Sequence, residues 1–98
     1  MPEFSHPFQG NKCDRMLSKE ELIRAIRFSI ASEFEAIQLY EQLRDSINDE
    51  ACKKILEEVA QDERIHVGNF QYILNELSPD DKSATREGFE EAKEIISK

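Results

Sequence analysis

Apolar positions repeat with a helical period over most of this chain. From Lys19 to about Ser46, and again from about Glu50 to Leu77, apolar side chains recur every three or four residues. That spacing places them along one face of an α-helix. The two-residue alternation typical of a half-buried strand is absent. The pattern therefore predicts an all-α fold.

Capping residues mark where the first two predicted helices begin. Ser18, with Glu21 three residues later, matches a capping box, in which each side chain binds a free amide of the first turn. Asn48 and Asp49 offer a stop for the first helix and a cap for the second. The connection is therefore very short, and we expect the two helices to fold back as an antiparallel hairpin.

A third, shorter helix is predicted up to about Ser97. Ser78 can cap it, Pro79 suits its first position, and acidic residues follow in the first turn. A later start near Ala84 is the alternative. Gly88 weakens this helix. Its apolar side is formed by Phe89, Ala92 and Ile96.

The predicted organisation is one domain over residues 1–98, with an irregular arm at 1–17, the hairpin at 18–77 and the last helix at 78–98. The arm contains two of the three prolines and has no helical period. A chain of 98 residues buries only a modest core. We therefore expect it to associate with further copies.

Three polar residues interrupt the apolar stripes. Glu33 falls among Ile26, Ile30, Ile37 and Tyr40, at about 100° per residue. Glu63 and His66 fall in a second stripe, made of Ile55, Val59, Phe70 and Ile73. Glu33 and Glu63 are equally distant in sequence from the predicted turn, so the hairpin brings them to one height. All three are expected to face inward.

Charge and hydropathy exclude several functions. The formal net charge of -8 disfavours a nucleic-acid partner, because it repels a phosphate backbone. The longest uncharged runs are too short for a membrane helix, and the amino terminus does not match a secretory signal. These features predict a cytoplasmic protein.

Two cysteines, Cys13 and Cys52, lie far apart and form no Cys-x-x-Cys pair. A zinc ribbon, a rubredoxin centre and a disulfide framework are therefore not supported. Cys52 is expected to be a small buried apolar residue.

Buried together, Glu33, Glu63 and His66 predict a metal site. Each residue alone has an ordinary explanation, because a Glu on a helix is usually solvated and a core His is usually hydrogen-bonded. Unpaired buried carboxylates are strongly disfavoured, however, and a dimer would bring two from each chain together. Protonation of the carboxylates would relieve their repulsion. Two divalent metals would relieve it as well, and they would also give the His66 imidazole a role as a ligand. Oxygen-rich ligands with one His per metal favour iron, with manganese the alternative.

Two further features of the first helix have two explanations each. Tyr40 either donates a hydrogen bond to a ligand carboxylate or simply packs in the core. Phe28, Ala31 and Leu39 form a second apolar side, with Glu35 among them. That side either makes a further contact between copies in a larger closed oligomer or is covered by the third helix.

The segment Ser32–Gln42, SEFEAIQLYEQ, followed by DERIH at Asp62–His66, resembles the encapsulated ferritins within the ferritin and rubrerythrin-like group. The resemblance covers Ser18 to Leu77. In ferritin-like di-iron bundles two helices each give a Glu and two give Glu-x-x-His. This chain would thus be a half-ferritin-like domain, completed as a four-helix bundle by a second copy.

The resemblance implies a ferroxidase whose di-iron centre forms between two subunits, in a decameric ring housed inside an encapsulin shell. Glu33, Glu63 and His66 of both chains would bind two irons per dimer, with Tyr40 beside them. Glu35 would match an acid of a secondary metal site through which iron reaches the centre. Ser32 and Leu39 depart from the acid and aromatic expected near that secondary site.

Oxidation of Fe(II) by dioxygen is thus the predicted function. A rubrerythrin-like peroxide reductase would share the same di-iron ligands, but the absent Cys-x-x-Cys pairs argue against a built-in electron donor. The non-enzymatic alternative is a metal-free helical hairpin that serves only as an oligomerisation or adaptor module.

Overall fold

Three helices make up the part of the chain that the computed structural model describes, residues 14–98. They are α1 (Lys19–Asp45), α2 (Glu50–Leu77) and α3 (Pro79–Ser97). No strand occurs among these residues, so the prediction of an all-α fold is confirmed. Most of the predicted arm, including Cys13, lies outside the described residues.

The predicted capping box starts α1. The Ser18 hydroxyl accepts the Glu21 amide at 3.2 Å, and the Glu21 carboxylate accepts the Ser18 amide at 2.9 Å. Arg15 adds an ion pair to Glu21 at 2.6 Å. The Arg15 guanidinium, together with the Ser18 amide, lowers the pKa of Glu21 from 4.5 to about 2. The cap thus holds an ionised carboxylate at a helix amino terminus, where the dipole favours it.

The turn between α1 and α2 follows the sequence closely. α1 ends at Asp45, one residue before the predicted end, a difference typical of frayed helix ends. The Asp49 carboxylate accepts the Cys52 amide at 3.0 Å, and this bond lowers the pKa of Asp49. The side chain of Cys52 is exposed, so the prediction that it is buried is wrong for the single chain. It lies in the first turn of α2, on a flank that α1 leaves uncovered.

Ser78 joins α2 to α3 without a loop. Its amide donates to the Leu74 carbonyl at 2.8 Å to close α2, and its hydroxyl accepts the Asp81 amide at 3.3 Å to cap α3. The alternative start near Ala84 is therefore wrong, because the cap is already satisfied and α3 begins at Pro79. Proline loses nothing there, since a first-turn amide has no partner within the helix.

The core lies between α1 and α2, which pack side by side. Ile37 of α1 is buried as predicted, and the buried apolar residues of α2 are Ala60 and Leu74. On α2 the predicted stripe is only partly correct, because Ile55 is 64% exposed and Ile73 is 41% exposed. The helical period correctly located the apolar sector of α2, but α1 packs against only one edge of that sector.

α3 leaves the hairpin and projects away from it. It packs against α2 near the joint and meets α1 only through its first turn, where the Arg27 guanidinium pairs with the Asp81 carboxylate at 2.7 Å. From residue 82 onward every side chain is exposed. α3 therefore does not cover the second apolar side of α1, where Leu39 remains 58% exposed.

Across residues 14–98, none of the helices combines the length and the apolar character required to span a lipid bilayer.

Candidate metal centre

The hairpin brings the three predicted ligands to one place. Glu33 projects from the middle of α1, and Glu63 and His66 project from successive turns of α2. One ligand atom from each lies within 4.8 Å of those of the other two. The Nδ1 atom of His66 is 3.5 Å from a Glu63 oxygen and 3.8 Å from Oε2 of Glu33. Two carboxylates and one imidazole thus converge at a single level.

The two carboxylates are largely withdrawn from solvent. Their side chains are 17% exposed in Glu33 and 18% exposed in Glu63, whereas that of His66 is 47% exposed. Oε2 of Glu33 is buried and has no hydrogen-bond partner among the described residues. The imidazole at 3.8 Å is too distant to donate to it. A buried acceptor without a donor is costly, and more so when it carries charge.

No Lys or Arg of the described residues pairs with Glu33 or Glu63. Arg64, next to Glu63 in sequence, instead pairs with Glu41 across the hairpin. The two carboxylates are therefore available to bind a metal cation. Their oxygens and one imidazole nitrogen form a donor set that suits iron or manganese.

The group supplies only three donor residues, and one of them, His66, is exposed to solvent. A single chain thus offers half of the four Glu and two His that a ferritin-like di-iron centre uses. His66 lies on the flank of α2 where Ile55 and Ile73 are also exposed. The site opens toward an uncovered apolar surface.

The structure does not bring the other two candidate residues into this group. Tyr40 lies two turns beyond Glu33 on α1, half-buried, and its hydroxyl has no hydrogen bond to any residue in the described range. Glu35 is exposed on α1 and is not part of the cluster. Their roles beside the metal and in a secondary site stay predictions.

Sequence reasoning missed two ion pairs between helices. Arg64 with Glu41 joins α2 to α1, and Arg27 with Asp81 joins α1 to α3. No regular spacing pointed to either pair, because their members lie on different helices. Only the packing of those helices determines which Arg meets which acid.

Comparison with known proteins assigns the family. A model of the rubrerythrin family, described as rubrerythrin, matches residues 25–98, which include all three predicted ligands. The chain belongs to the rubrerythrin family. The family match spans α2, α3 and most of α1, so the prediction of a ferritin and rubrerythrin-like chain is confirmed.

Relatives of this rubrerythrin-family chain are named for encapsulins. It is 43% identical over 82 residues to a ferritin-like-encapsulin shell fusion protein of Pyrococcus furiosus, covering 84% of this chain and 24% of that protein. It is 33% identical over 97 residues to an encapsulin nanocompartment cargo protein of Myxococcus xanthus, covering 99% of this chain and 73% of that one. The chain thus spans about a quarter of the length of the Pyrococcus relative.

A solved structure shares the fold. The crystal structure of the encapsulated ferritin domain from Pyrococcus furiosus superposes with a TM-score of 0.83 at 40% identity, covering 95% of this chain and 94% of that one. The predicted resemblance to encapsulated ferritins and the predicted ferritin-like fold are confirmed.

Proposed function

We propose that this protein is a ferroxidase that oxidises Fe(II) with dioxygen at a di-iron centre formed between two copies of the chain. The observation that carries the proposal is the buried, unpartnered Oε2 of Glu33 beside Glu63 and His66. Apart from His66 at 3.8 Å, no basic side chain of the described residues pairs with that oxygen, and a bound metal cation would satisfy it.

The donor count and the exposed flank both support a pair of copies. Three ligand residues per chain become six in a pair, enough for two irons. Ile55 and Ile73 flank His66 and are exposed in the single chain. Burying them against a second copy gains about 25 cal/mol per Å² of apolar surface. The same contact would close the open side of the site.

Each residue has a distinct task. Bound as substrate, two Fe(II) each give one electron, and together they reduce one dioxygen to hydrogen peroxide with two protons from water. Glu33 and Glu63 hold the metals and favour the ferric state, because their negative charge stabilises the higher cation charge. Glu63 and His66, three residues apart on α2, would bind from the same helix, and Glu33 would bind from α1. His66 binds through a neutral ring nitrogen.

The relatives' names suggest where the reaction takes place. Both are described as an encapsulin fusion or an encapsulin cargo. By this reasoning the protein works inside an encapsulin compartment in the cytoplasm, as a ring of such pairs, and its ferric product is stored there. Tyr40 beside the centre and Glu35 at a secondary iron site belong to the same proposal.

The test is Fe(II) oxidation followed by absorbance, together with iron counting under anaerobic conditions. Two irons per pair of chains are expected. Glu33→Gln and His66→Ala should each slow oxidation by roughly 100-fold or more, since loss of even an outer-shell partner costs 10 to 100-fold. Glu91→Gln is the matched control, because Glu91 is an exposed carboxylate of α3. Unchanged oxidation in both ligand variants would contradict the proposal, and absence of bound iron would favour a metal-free module.

A second candidate is a peroxide reductase, which the rubrerythrin family match favours. It would use the same three ligands but needs a reductant to return the iron to Fe(II). Rates measured with dioxygen and with hydrogen peroxide separate the two functions. Faster oxidation of the loaded iron by peroxide, with turnover on adding a reductant, would assign the reductase.

A further inference from the structure

One ion pair crosses between α1 and α2 beside the metal centre. The guanidinium of Arg64 on α2 pairs with the Glu41 carboxylate on α1, and the two side chains are 46% and 29% exposed. Arg64 follows Glu63 directly in the sequence. A charged pair therefore begins one residue from a predicted ligand, and the proposed function gives that pair no task.

On α1 the paired acid and the ligand lie on opposite sides of the buried contact. Glu33, Ile37 and Glu41 follow one another at intervals of four residues. At about 100° per residue, each is turned by about 40° from the one before it. Ile37 is buried, at 6% exposed. Glu33 and Glu41 therefore lie on the two edges of the strip of α1 that packs against α2.

The arrangement on α2 is the same. Ala60 is buried, at 1% exposed. In helical projection it lies about 60° from Glu63 on one side and about 40° from Arg64 on the other. His66 lies about 60° from Glu63, on the side away from Arg64. One edge of the hairpin thus carries the three ligands, and the opposite edge carries the ion pair.

Neither member of the pair has a competing partner nearby on its own helix. On α2 no acidic residue lies three or four positions from Arg64. The residues at those positions are Ala60, Gln61, Val67 and Gly68. On α1 Arg44 lies three positions from Glu41, but it pairs with Asp45 at 3.0 Å. The contact that satisfies Arg64 is therefore one between helices.

Electrostatic forces on the two edges act on the hairpin in opposite directions. Glu33 and Glu63 share a small space, so their like charges push α1 and α2 apart when no metal is bound. The turn does little to resist this, because α2 begins at Glu50, about 20 Å along the helix axis from Glu63. The attraction between Arg64 and Glu41 opposes the separation much closer to the site.

We infer that Arg64, through Glu41, is a positioning residue that holds the ligands of α2 opposite Glu33 before a metal arrives. The inference rests on the proposed function, because that function assigns the ligands to a metal. A site held in its binding geometry gains affinity, since the apparent dissociation constant rises as the binding-competent fraction falls. A bound metal itself bridges the two helices. Arg64 therefore acts on metal capture and not on the oxidation step.

The sign of one effect on Mn(II) binding tests the inference. Arg64→Gln removes a positive charge beside the site, so charge alone would strengthen the binding of a divalent cation. Loss of positioning should instead raise the dissociation constant by roughly fivefold, the effect expected when a partly exposed ion pair is lost. Free Mn(II) is counted by electron paramagnetic resonance under anaerobic conditions. A dissociation constant equal to or lower than that of the parent overturns the inference.

The matched control is Arg24→Gln, which removes the same charge from a pair with Glu20 within α1. It should leave the dissociation constant for Mn(II) unchanged. Rates of Fe(II) oxidation then separate capture from chemistry. In Arg64→Gln the Fe(II) concentration that gives half the maximal rate should rise roughly fivefold, whereas the rate at saturating Fe(II) should change by less than about twofold. A loss confined to the saturated rate would contradict a role in metal capture.

Charge exchange supplies a rescue test. Arg64→Glu should weaken Mn(II) binding although it adds a negative charge beside the site, because it places a second acid opposite Glu41. Adding Glu41→Arg should restore the parent dissociation constant to within about twofold, even though this substitution makes the surroundings more positive. Failure of the second substitution to restore binding would contradict a role for the pair.

Spin-label distances measure the position of α2 with all three ligands intact and no metal bound. In a Cys13→Ser, Cys52→Ser background, Ser32→Cys on α1 and Asn69→Cys on α2 carry the labels, because both residues are exposed near the site. Labelled chains are diluted into unlabelled ones, so that only distances within one chain are recorded. A chelator keeps the protein free of metal.

Arg64→Gln should broaden this distance distribution toward longer values, and Arg24→Gln should leave it as in the parent. An unchanged distribution in Arg64→Gln overturns the inference. The same measurement separates the inference from the proposed function. A parent protein that binds no Mn(II) or does not oxidise Fe(II), while Arg64→Gln still separates the helices, contradicts the proposed function alone.

Discussion

At the scale of single residues, Glu33 destabilises the metal-free fold and is also a candidate metal ligand. Its buried Oε2 lacks a hydrogen bond and shares a small space with Glu63. A site that was built only for stability would place a donor or an apolar group there. The arrangement is instead the kind of local destabilisation that a bound cation removes.

We therefore expect Glu33→Gln to stabilise the metal-free protein by about 1 kcal/mol while abolishing iron binding. Glutamine keeps the size of the side chain but removes one of two neighbouring negative charges. Chemical denaturation with a chelator present measures the free energy of unfolding. Glu57→Gln is the control, because this carboxylate of α2 is exposed and its neutralisation should change that free energy by less than about 0.5 kcal/mol. A Glu33→Gln protein less stable than the parent would contradict this account.

The low pKa of Glu21 predicts that the stability of the folded chain depends on pH. Its pKa is about 2 in the folded chain, below the ordinary value of 4.5, chiefly because of Arg15. Since the folded pKa is depressed, the stability that Glu21 contributes is fully present above pH 4.5 and is lost as the pH falls toward 2. Glu21→Gln keeps the capping geometry but not the charge. The difference in Tm between the two proteins should shrink as the pH falls, and a difference independent of pH would contradict the assignment.

At the scale of helices, the hairpin and α3 depend on different interactions. α1 and α2 are held by apolar burial around Ile37, Ala60 and Leu74. The direction of α3 is held by its Ser78 cap and by the ion pair of Arg27 with Asp81, in which the guanidinium also lowers the pKa of Asp81. The joint is thus weaker than the hairpin and can be loosened on its own.

Arg27→Gln should therefore loosen the first turn of α3 without unfolding the hairpin. The pair is partly exposed, with the Arg27 side chain at 51% and the Asp81 side chain at 21%, so a loss of about 0.5 kcal/mol is expected. Hydrogen exchange should speed up at residues 80–84 and remain unchanged in the middle of α1. Arg24→Gln is the matched control, because its pair with Glu20 is exposed and 4.0 Å long. Equal effects of the two substitutions would contradict a role for Arg27 in holding α3.

The helices illustrate what local sequence can predict. The caps at Ser18, Asp49 and Ser78 were predicted correctly because each depends on residues within one turn. The expected burial of Cys52 and Ile55 was wrong because burial depends on which edge of an apolar sector a neighbour covers. The ligand group was predicted from helical period and equal distance from the turn, both of which act within one hairpin.

At the scale of the whole molecule, metal binding and association are expected to be coupled. Six ligand residues are present only in a pair, so a metal that binds the pair stabilises it by mass action. The open flank around His66 and the uncovered stripe of α3 are different surfaces. Closing the first against a second copy would complete the metal site.

Mn(II), which dioxygen oxidises far more slowly than Fe(II) in neutral water, provides the measurement. Adding it should raise Tm and shift single chains toward pairs, by about 2.7 kcal/mol at one hundred times the dissociation constant. A chelator should reverse both effects, and His66→Ala should prevent them. Thermal unfolding at several protein concentrations, combined with light scattering, measures both. A rise in Tm without any change in mass would place the whole metal site within one chain.

By itself, the sequence determined the helices, the hairpin and the convergence of Glu33, Glu63 and His66, because caps, helical period and a short connection act over neighbouring residues. Only the tertiary structure decided that Oε2 of Glu33 is buried without a partner and that Arg64 is occupied by Glu41. It also decided that α3 projects from its own chain. These features depend on how three packed helices cover one another, which no single helical pattern specifies.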